Sequence, residues 1–547
     1  MRISLADNKL IVSFTYSPQI VAVVKTIPGR MWDAKGKRWV VPVENAVECL
    51  DKLEPLGFTA TNDVQKVADD QLEIQELAAG VKSLPDVPYG GKFPLYDFQR
   101  KGCMFMRIMP HSLLADVPGL GKSIQTLAAL EETPGPHLIL VPASLKFSWK
   151  DEIEKWCKRK VIVIGGTKEE RMNQWHYWNT ADFVIANYEL LLHDFDLVKD
   201  KHWKTIVCDE ATRISNPAAQ TTQRLKELKC DKRIALTGTP VSNSPDDMYS
   251  IIDWLSPRYL GTFPQFREKY CILDDSWGKV VGYKQLDELA ARVGRFMLRR
   301  TKEEVFKDFP PKTVENITFD LVGEERRMYE SIRDLIIEEI YKMSALDTRT
   351  VGIVPVKMLR LKQCTDHTKL VGGYGKGEST KLETLKELLK PIVASGEKAI
   401  IFTQFSEMLH ILKEELSKYN PLCIYGDVAP EVRQEYVRTF QNDPSQQVII
   451  MTEAGAYGLN LQAASYVFHY DLPWSIAKMQ QREDRAHRIG NKKPVTVYNL
   501  IARGTIDEYV AKVLHKKNKA AVAILDDEAR LEHAGIEEED IKAILRL

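Results

Sequence analysis

The chain contains 547 residues, of which 44% are hydrophobic and 28% are charged, with 76 basic and 76 acidic side chains. This length allows roughly three domains with sizeable cores, and the composition excludes a disordered or fibrous chain. Because the charges balance, any nucleic-acid surface must be a local one. The sequence shows neither a signal peptide nor an apolar run of the ~18 residues that cross a bilayer, so we expect an intracellular protein without membrane contact.

The eight cysteines are scattered and form no C-x-x-C pair. This spacing argues against a zinc ribbon or a redox motif and fits a reducing compartment. Cys364 and His367 have a ligand-like spacing, but no second pair lies nearby in the sequence. We therefore interpret Cys364 as a buried structural residue.

The amino-terminal region, residues 1–60, predicts a small unit of its own. A strand pattern at 10–16 is followed by Ser17 and Pro18, which are typical of a helix start, and residues 38–43 predict another strand. Residues 61–92 are polar and acidic and end in a Gly- and Pro-containing stretch, so we interpret them as a linker.

Short apolar runs alternate with amphipathic stretches from residue 93 to 256, and the pattern returns from 376 to 515. Such runs are typical of strands buried on both faces of a parallel sheet. They lie at 112–115, 137–141, 183–186, 205–208 and 233–236, and again at 399–402, 422–425, 448–451, 466–469 and 495–498. Residues 257–375 predict a helical bridging segment and 516–547 an acidic helical tail. We expect an α/β fold with two doubly wound parallel-sheet lobes and a small α+β module before them.

The stretch Asp-Val-Pro-Gly-Leu-Gly-Lys-Ser at 116–123 ends like the phosphate-binding pattern G-x-x-x-x-G-K-[ST], although Asp116 occupies its first position. Between a strand and a helix, such a loop directs backbone N–H groups at an anion. Lys122 would reach the β- and γ-phosphates and the Ser123 hydroxyl would hold Mg²⁺. The alternative is a glycine-rich strand-to-helix turn. The candidate nucleotide-binding residues here are Gly119, Leu120, Gly121, Lys122 and Ser123.

Two acidic residues, Asp209 and Glu210, follow the apolar run at 205–208. At the carboxyl end of a strand in the same sheet, Asp209 would hold Mg²⁺ and Glu210 would polarise the attacking water. Paired acidic residues also occur at helix starts, which leaves that alternative open. Thr237 and Thr239 follow another apolar run, where their hydroxyls could sense the γ-phosphate.

Near the end of the second region, Gln481, Arg485 and Arg488 fall at i, i+4 and i+7, which on a helix makes one stripe. Two guanidinium groups on one face could stabilise a transferring phosphoryl group. The alternative is a solvated basic face accompanied by its own carboxylates, Glu483 and Asp484.

Taken in order, the motifs between residues 93 and 515 resemble those of the Swi/Snf family of superfamily-two helicase-like ATPases. Gln99 resembles the glutamine with which this family reads adenine, and aspartate at position 116 is the family's own form of the phosphate loop. Residues 141–145, with Trp149, resemble motif Ia, so Ser144 is a candidate DNA contact. Thr212 replaces the histidine of the family's D-E-A-H, which leaves the metal and water roles but not the usual coupling to DNA.

The later motifs continue the resemblance. They comprise residues 236–240 with Asn243, 298–302, 400–405, 452–461 and 481–490. Trp474 stands where the family places a tryptophan near DNA, and Asn491 replaces a final glutamine. The resemblance implies a nucleotide contact at Gly458 and DNA contacts at Asn243, Thr452 and Trp474.

The family also implies a mechanism. Each lobe would have a RecA-like core, with ATP and Mg²⁺ in a cleft between the lobes and DNA across both. Arg485 and Arg488 would be catalytic, and Gln481, Thr237 and Thr239 would couple hydrolysis to movement. The protein would translocate along duplex DNA without separating its strands.

Residues 30–42 resemble a HARP-type module, which accompanies family members that anneal strands and remodel forks. Trp32 and Trp39 flank a predicted turn at 33–37, with basic residues on or near it: Arg30, Lys35, Lys37 and Arg38. Basic groups beside aromatic rings suit phosphate contact combined with base stacking. The alternative is that the two tryptophans form the core of a very small domain.

We therefore expect a DNA-dependent ATPase that acts on duplex, forked or branched DNA, as a monomer, in the cytoplasm of a bacterial or viral system or in a nucleus. Its domains would be 1–60, the linker 61–92, lobe 1 at 93–256, the bridge 257–375, lobe 2 at 376–515 and the tail 516–547. The alternatives are a strand-separating helicase, an ATP-driven remover of proteins from DNA, and a scaffold whose ATP site only switches conformation.

Overall fold

The computed structural model describes residues 1–83, 91, 93–240, 246–273, 280–306, 310–342, 350–372, 379–453, 459–488, 491 and 493–525. Met1–Val305 belong to one compact unit and Phe306–Lys519 to a second. Asn243, Gly458 and the acidic tail from 526 onward lie outside the described residues.

The strands of the described part follow one another along both units. In chain order they are β1 Arg2–Ala6, β2 Lys9–Ser13, β3 Met31–Asp33, β4 Arg38–Pro42, β5 Thr59–Ala60, β6 His111–Leu114, β7 His137–Val141, β8 Val161–Val163, β9 Phe183–Asn187, β10 His202–Asp209, β11 Lys229–Leu236, β12 Cys271–Leu273, β13 Val280–Tyr283, β14 Met297–Leu298, β15 Lys312–Phe319, β16 Ala399–Phe402, β17 Leu422–Ile424, β18 Val448–Met451, β19 Tyr466–His469 and β20 Val495–Ala502.

The α-helices alternate with these strands. They span Pro18–Val24, Ala46–Leu53, Asn62–Ser83, Asp97–Ile108, Lys122–Ala129, Lys146–Trp156, Lys168–His176, Tyr188–His193, Phe195–Val198, Gln220–Glu227, Asp246–Leu255, Phe263–Tyr270, Leu286–Gly294, Lys302–Val305, Gly323–Lys342, Thr350–Asp366, Thr380–Ala394, Ser406–Glu415, Pro430–Asn442, Ile476–Glu483 and Ile506–Leu525. Among the described residues, none of these helices combines the length and apolarity that a membrane span requires.

The amino-terminal module is a five-stranded sheet in the order β3-β4-β2-β1-β5, antiparallel except for the β1–β5 pair. Strands β2 and β4 lie where the sequence predicted strands. Ile3, Leu10 and Val41 are completely buried in its core, and the helix Ala46–Leu53 packs its apolar side on them.

The stretch interpreted as a linker contains the 22-residue helix Asn62–Ser83. Its first half places Val64 and Ala68 in the core of the module, whereas Ala78 and Val81 pack in the core of the following lobe. A linker interpretation therefore does not hold for residues 62–83. The helix was missed because most of its positions are polar, which hid the few apolar residues that face the two cores.

The first lobe is built on a seven-stranded parallel sheet with the order β14-β6-β11-β10-β7-β9-β8. The apolar runs predicted as buried strands form β6, β7, β9 and the carboxyl halves of β10 and β11. In β7 and β9 every residue is buried, as expected for a sheet covered by helices on both faces.

The second unit carries a six-stranded parallel sheet in the order β15-β20-β19-β16-β18-β17. All five strands predicted between 376 and 515 are present. The unit boundary falls inside the predicted bridging segment, because β14 joins the sheet of the first lobe and β15 joins that of the second. The two-lobe parallel α/β architecture is confirmed.

Candidate active site

Three predicted motifs lie side by side at one edge of the first sheet. Register places Leu114, the last residue of β6, beside Leu236 of β11, and Leu236 beside Asp209 of β10. The phosphate loop, Thr237–Thr239 and Asp209–Glu210 therefore leave adjacent strands at their carboxyl ends. This edge is where parallel α/β sheets bind ligands.

The phosphate loop connects β6 to the helix Lys122–Ala129. Gly119 and Gly121 adopt left-handed backbone angles, φ 92° and 74°, which side-chain-bearing residues rarely take. A Cβ on Gly121 would lie 2.6 Å from Nε2 of Gln99. Nζ of Lys122 donates to the backbone carbonyl of Asp116 at 2.8 Å, so the ammonium lies over the loop.

Asp116, at the first position of the loop, is completely buried and forms a bidentate ion pair with Arg300. Arg300 Nε lies 2.9 Å from Oδ1 and Nη2 lies 2.6 Å from Oδ2, while Gln125 Nε2 also donates to Oδ2 at 3.1 Å. Gly102 leaves the space in which Gln125 and Arg300 meet. The aspartate thus fastens the loop to the chain that leaves the lobe, where Val117 N–H also donates to the Arg300 carbonyl.

Gln99 contacts the loop directly. Its Nε2 donates to the Leu120 carbonyl at 3.2 Å, and its Oε1 accepts from the Tyr96 N–H at 3.1 Å. An amide has a second donor hydrogen and a second lone pair, so these bonds are compatible with adenine recognition, which stays a prediction for this residue.

The acidic pair ends β10. Oδ2 of Asp209 accepts from Trp149 Nε1 at 2.8 Å, and Oδ1 accepts from the Glu210 N–H at 2.9 Å. Burial raises the pKa of Asp209, while Trp149, the Lys122 charge and the Glu210 N–H act in the opposite direction. Glu210 has φ 49° and ψ 55°, a left-handed conformation that turns the chain sharply after the strand.

The residues after β11 pack against the phosphate loop. Thr237 and Thr239 are buried, and the Thr239 N–H donates to Thr237 Oγ1 at 3.1 Å. A Cβ on Gly238 would lie 2.5 Å from Cγ of Pro118, so only glycine fits between them. A displacement of the phosphate loop would therefore displace Thr237 and Thr239, because Gly238 between them packs against Pro118 of the loop.

These residues fit a magnesium-bound nucleoside triphosphate. The loop offers glycine backbone and a helix N-terminus to phosphate, and Ser123 with Asp209 supplies the oxygen ligands that Mg²⁺ prefers. Lys122 adds a positive charge, and Glu210 adds a second carboxylate next to Asp209 in the chain. Within the first lobe this set can bind phosphates, hold a cation and orient a water molecule.

In the second unit, Arg485 connects the predicted motif at 481–490, to which it belongs, with the motif at 452–461. Its Nη1 donates to the Leu459 carbonyl at 3.4 Å, and its carbonyl accepts from the Leu461 N–H at 2.9 Å. The predicted helical stripe is wrong, because the helix Ile476–Glu483 ends before Arg485, which lies in a turn, and before Arg488, which lies in the bend that follows. The chain turns there because Ala486 is buried in the core and His487 Nε2 pairs with the Pro310 carbonyl at 2.8 Å.

A buried arginine that the motif comparison did not single out lies one turn earlier. Arg482 is 3% exposed, donates to the Asp471 carbonyl at 2.9 Å and pairs with Glu453 at 3.0 Å. It thereby ties together the ends of β18 and β19 and the helix that carries Gln481. Only its burial distinguishes Arg482 from the other charged residues at 480–490, and burial cannot be read from a charged stretch of sequence.

The predicted DNA contacts have different surroundings. Ser144 is exposed on the turn after β7, and Trp474 is half-buried with its ring centroid 6.3 Å from that of Tyr509. Thr452 is 3% exposed, so its side chain lies in the interior. Asn243 and Gly458 lie outside the described residues.

The predicted turn at 33–37 is present between β3 and β4. Asp33 Oδ1 accepts from the N–H groups of Lys35 and Gly36, both at 3.1 Å, and β3 pairs Trp32 with Trp39. Trp32 is 52% exposed, so it is not a core residue, whereas Trp39 packs partly on the core.

An open groove of about 890 Å³ runs beside this pair. It combines aromatic rings with cationic side chains: Phe14, Tyr16, Lys25, Trp32, Lys37, Arg38 and Trp39. Lys35 is exposed outside it. Arg30 instead borders a second cavity, of about 370 Å³, which Leu260 and Glu268 of the first lobe also line.

Two family models match the chain: the SNF2-related domain over residues 58–370 and the helicase conserved C-terminal domain over 380–490. An "uncharacterized ATP-dependent helicase" of Mycoplasma pneumoniae is 30% identical over 469 residues, covering 83% of this chain and 44% of that protein. The Homo sapiens "SWI/SNF-related matrix-associated actin-dependent regulator of chromatin subfamily A member 1" is 30% identical over 468 residues, covering 78% and 43%.

A solved structure, "Sulfolobus solfataricus SWI2/SNF2 ATPase core in complex with dsDNA", is 31% identical and covers 84% of this chain and 99% of that one, with a TM-score of 0.39. This chain spans less than half the length of the two curated relatives. The SNF2-related match extends over more than half of the chain, and its residues include the three motifs at the edge of the first sheet. The protein therefore belongs to the SNF2-related family of Swi/Snf-type, superfamily-two helicase-like ATPases.

Proposed function

We propose that this protein is a DNA-stimulated ATPase that translocates along duplex DNA and acts on forked or partly unwound structures. The observation that carries the proposal is the alignment of three motifs on adjacent strand ends, with Lys122, Asp209 and Glu210 at one edge of the sheet. A scaffold that had lost hydrolysis would have no need to retain all three groups.

In the proposed reaction, Lys122 and the loop N–H groups bind the phosphates, and Ser123 and Asp209 hold Mg²⁺. Glu210 orients water for in-line attack, and Arg485 and Arg488 stabilise the developing charge. Gln99 and Gly458 would contact the nucleotide, while Gln481, Thr237 and Thr239 would couple hydrolysis to movement.

The preference for branched DNA is supported by the groove of the amino-terminal module. Tyr16 is 80% exposed and Trp32 is 52% exposed, and an unpaired base can stack on such rings. Lys25, Lys37 and Arg38 line the same groove and suit backbone phosphates. A fork presents both unpaired bases and a duplex. We infer that the module recruits the ATPase to such junctions, in keeping with a HARP-like role in annealing or fork remodelling.

The first test is steady-state ATP hydrolysis without nucleic acid and with single strands, plain duplex, forked duplex and RNA. We expect duplex to stimulate and forks to stimulate more, with Lys122→Ala lowering the rate at least ~100-fold. Trp32→Ala should remove the extra stimulation by forks and leave that by duplex. Tyr177→Ala, which changes an equally exposed ring elsewhere in the first unit (52%), is the control. Equal rates with and without every nucleic acid would contradict the proposal.

Two other activities use the same ATPase, and one experiment distinguishes them. A strand-separating helicase would release a labelled strand from a forked duplex, whereas a duplex translocase would displace a triplex-forming strand and leave the duplex intact. Removal of a protein roadblock without triplex displacement would favour the remover of proteins.

A further inference from the structure

Trp149 places an indole N–H directly on the carboxylate that the proposed reaction uses for Mg²⁺. Its Nε1 lies 2.8 Å from Asp209 Oδ2, and the side chain is 3% exposed. Hydrogen bonds to a charged acceptor are about twice as strong as those between neutral groups. With the Glu210 N–H on Oδ1 at 2.9 Å, the carboxylate is held at both oxygens.

Burial alone does not explain this contact. Trp203 and Trp254 are completely buried in the same lobe, and Nε1 of each has no hydrogen-bond partner in the described structure. The fold therefore tolerates an unbonded indole N–H. At position 149 the ring is turned so that its single donor meets Asp209.

The backbone of Asp209 is held as well. Tyr188 is buried, and its hydroxyl donates to the Asp209 carbonyl at 2.7 Å. Trp149 and Tyr188 therefore fix the side chain and the main chain of one residue from two helices, Lys146–Trp156 and Tyr188–His193, whose buried residues belong to different cores of the lobe. A metal ligand fixed in this way needs little reorganisation when the cation binds.

The helix that carries Trp149 begins immediately after the turn Ala143–Leu145, where Ser144 is exposed. A displacement of this turn would be passed along the first turn of the helix to the indole and so to Asp209. This route does not require a histidine at position 212, where the chain has threonine.

We propose that Trp149 is a positioning residue: it orients the metal-holding carboxylate of Asp209 and transmits to it the contact that DNA makes at the turn 143–145. The second part rests on the proposed function, since it needs DNA at Ser144. The first part concerns only cation binding within the first lobe.

The test is Trp149→Phe, which removes the N–H donor and keeps a buried aromatic ring. Trp175→Phe is the matched control, because Trp175 is 2% exposed and donates to a different buried carboxylate, Asp194, at 3.0 Å. We expect Trp149→Phe to weaken Mn²⁺ binding in the presence of ADP about 10-fold, measured by electron paramagnetic resonance. Trp149→Phe should also lower kcat more than it raises KM. Trp175→Phe should leave Mn²⁺ binding, kcat and KM unchanged.

Mn²⁺ binding separates the two parts, because it requires no DNA. If Trp149→Phe and Trp175→Phe bind Mn²⁺ equally, the positioning role is overturned, whatever DNA does to the wild type. If Trp149→Phe binds Mn²⁺ more weakly but duplex DNA raises its ATPase rate by the same factor as in the wild type, the transmission to Asp209 is overturned and the positioning role stands. Should Trp149→Phe not fold, 3-benzothienylalanine at position 149 keeps the ring size and lacks the donor, and the same outcomes apply to it.

Discussion

At the residue scale, the buried Asp116 explains why this phosphate loop begins with an acidic side chain. Its carboxylate is fully enclosed and receives both prongs of the Arg300 guanidinium, which also contacts the carbonyl of Phe98. Because a buried charge without its partner is costly, typically 3–5 kcal/mol, the two residues depend on each other. The pair fastens the loop to the chain that leaves the first lobe.

We therefore expect Asp116→Asn to destabilise the first lobe by about 3 kcal/mol and to weaken ADP binding about 10-fold by loosening the loop. Asp194→Asn is the control, since Asp194 forms a similar two-pronged pair with Arg171, at 2.8 and 2.9 Å, and is 4% exposed. Thermal unfolding and calorimetric titration with ADP measure the two effects. Loss of ADP affinity in both variants alike would show that it follows from lowered stability.

Local spacing was sufficient to predict that residues 116–121 join a strand to a helix and that the acidic pair follows a strand, because each motif consists of consecutive residues. The partners of those residues were not predictable in the same way. Arg300 lies 184 positions from Asp116 and Trp149 lies 60 from Asp209, so only the fold brings them together. Nor does any sequence signal announce the left-handed backbone of Glu210, since glutamate has no preference for that conformation.

At the scale of elements, two strands of the first sheet begin with a histidine held neutral. Burial lowers the pKa of His111, at the start of β6, from 6.5 to about 4, with a further contribution from Arg233. Burial likewise lowers the pKa of His137, at the start of β7, to about 4. His111 Nδ1 accepts from the Arg233 N–H at 3.1 Å, and His137 Nε2 pairs with the Thr133 carbonyl at 3.1 Å.

A histidine whose pKa is lowered by folding stabilises fully above the unfolded pKa of about 6.5, and this stability is lost as the pH falls toward 4. Lowering the pH from 7.5 to 5.5 should therefore cost about 1 kcal/mol per histidine. His111→Asn with His137→Gln keeps an acceptor at the Nδ1 position and a donor at the Nε2 position but removes the titration. Its Tm should fall less between these pH values than that of the wild type. Parallel decreases in Tm would contradict the assignment.

The inner strands of both lobe sheets were predictable because short, continuous apolar runs are typical of strands that helices cover on both faces of a parallel sheet. The strands β8, β14 and β15 were missed, because each lies at an end of its sheet and has few buried residues. Two helices also differ from the prediction. The end of the helix Ile476–Glu483 depends on the burial of Ala486 and on the pairing of His487 with Pro310, which a periodic pattern cannot contain. The helix Asn62–Ser83 faces two separate cores, so its apolar residues do not form one regular stripe.

At the scale of the whole first unit, the amino-terminal module is anchored to the first lobe by a shielded ion pair. Arg292 Nη2 lies 2.9 Å from Glu48 Oε1 and its Nε lies 2.9 Å from Glu288 Oε1, with the Arg292 side chain 12% exposed. Burial alone would raise the pKa of Glu48, but the bonds from Arg292 and Lys52 outweigh it and lower the pKa. Gly29 packs against the Arg258 carbonyl, where a Cβ would not fit.

Replacing Arg292 by Met should release the module, because Glu48 would be left shielded from water without its strongest partner. We expect thermolysin to cleave within the helix Asn62–Ser83 at least about 10-fold faster, since that helix is stable only while both of its ends are packed. Arg224→Met, which removes an exposed pair with Glu227, should leave the cleavage rate unchanged. An unchanged rate for Arg292→Met would show that apolar contacts suffice to hold the module.

The helix shared by the module and the first lobe also constrains how such a chain could have been assembled. A joint between Ala68 and Ala78 would leave each apolar pair with the core that it completes, since Val64 and Ala68 belong to the module and Ala78 and Val81 to the lobe. The helix is continuous between them, so each residue inserted or deleted there would turn one pair by about 100° relative to the other and shift it by about 1.5 Å. A joint within this helix is therefore compatible with both cores only when it preserves the helical phase.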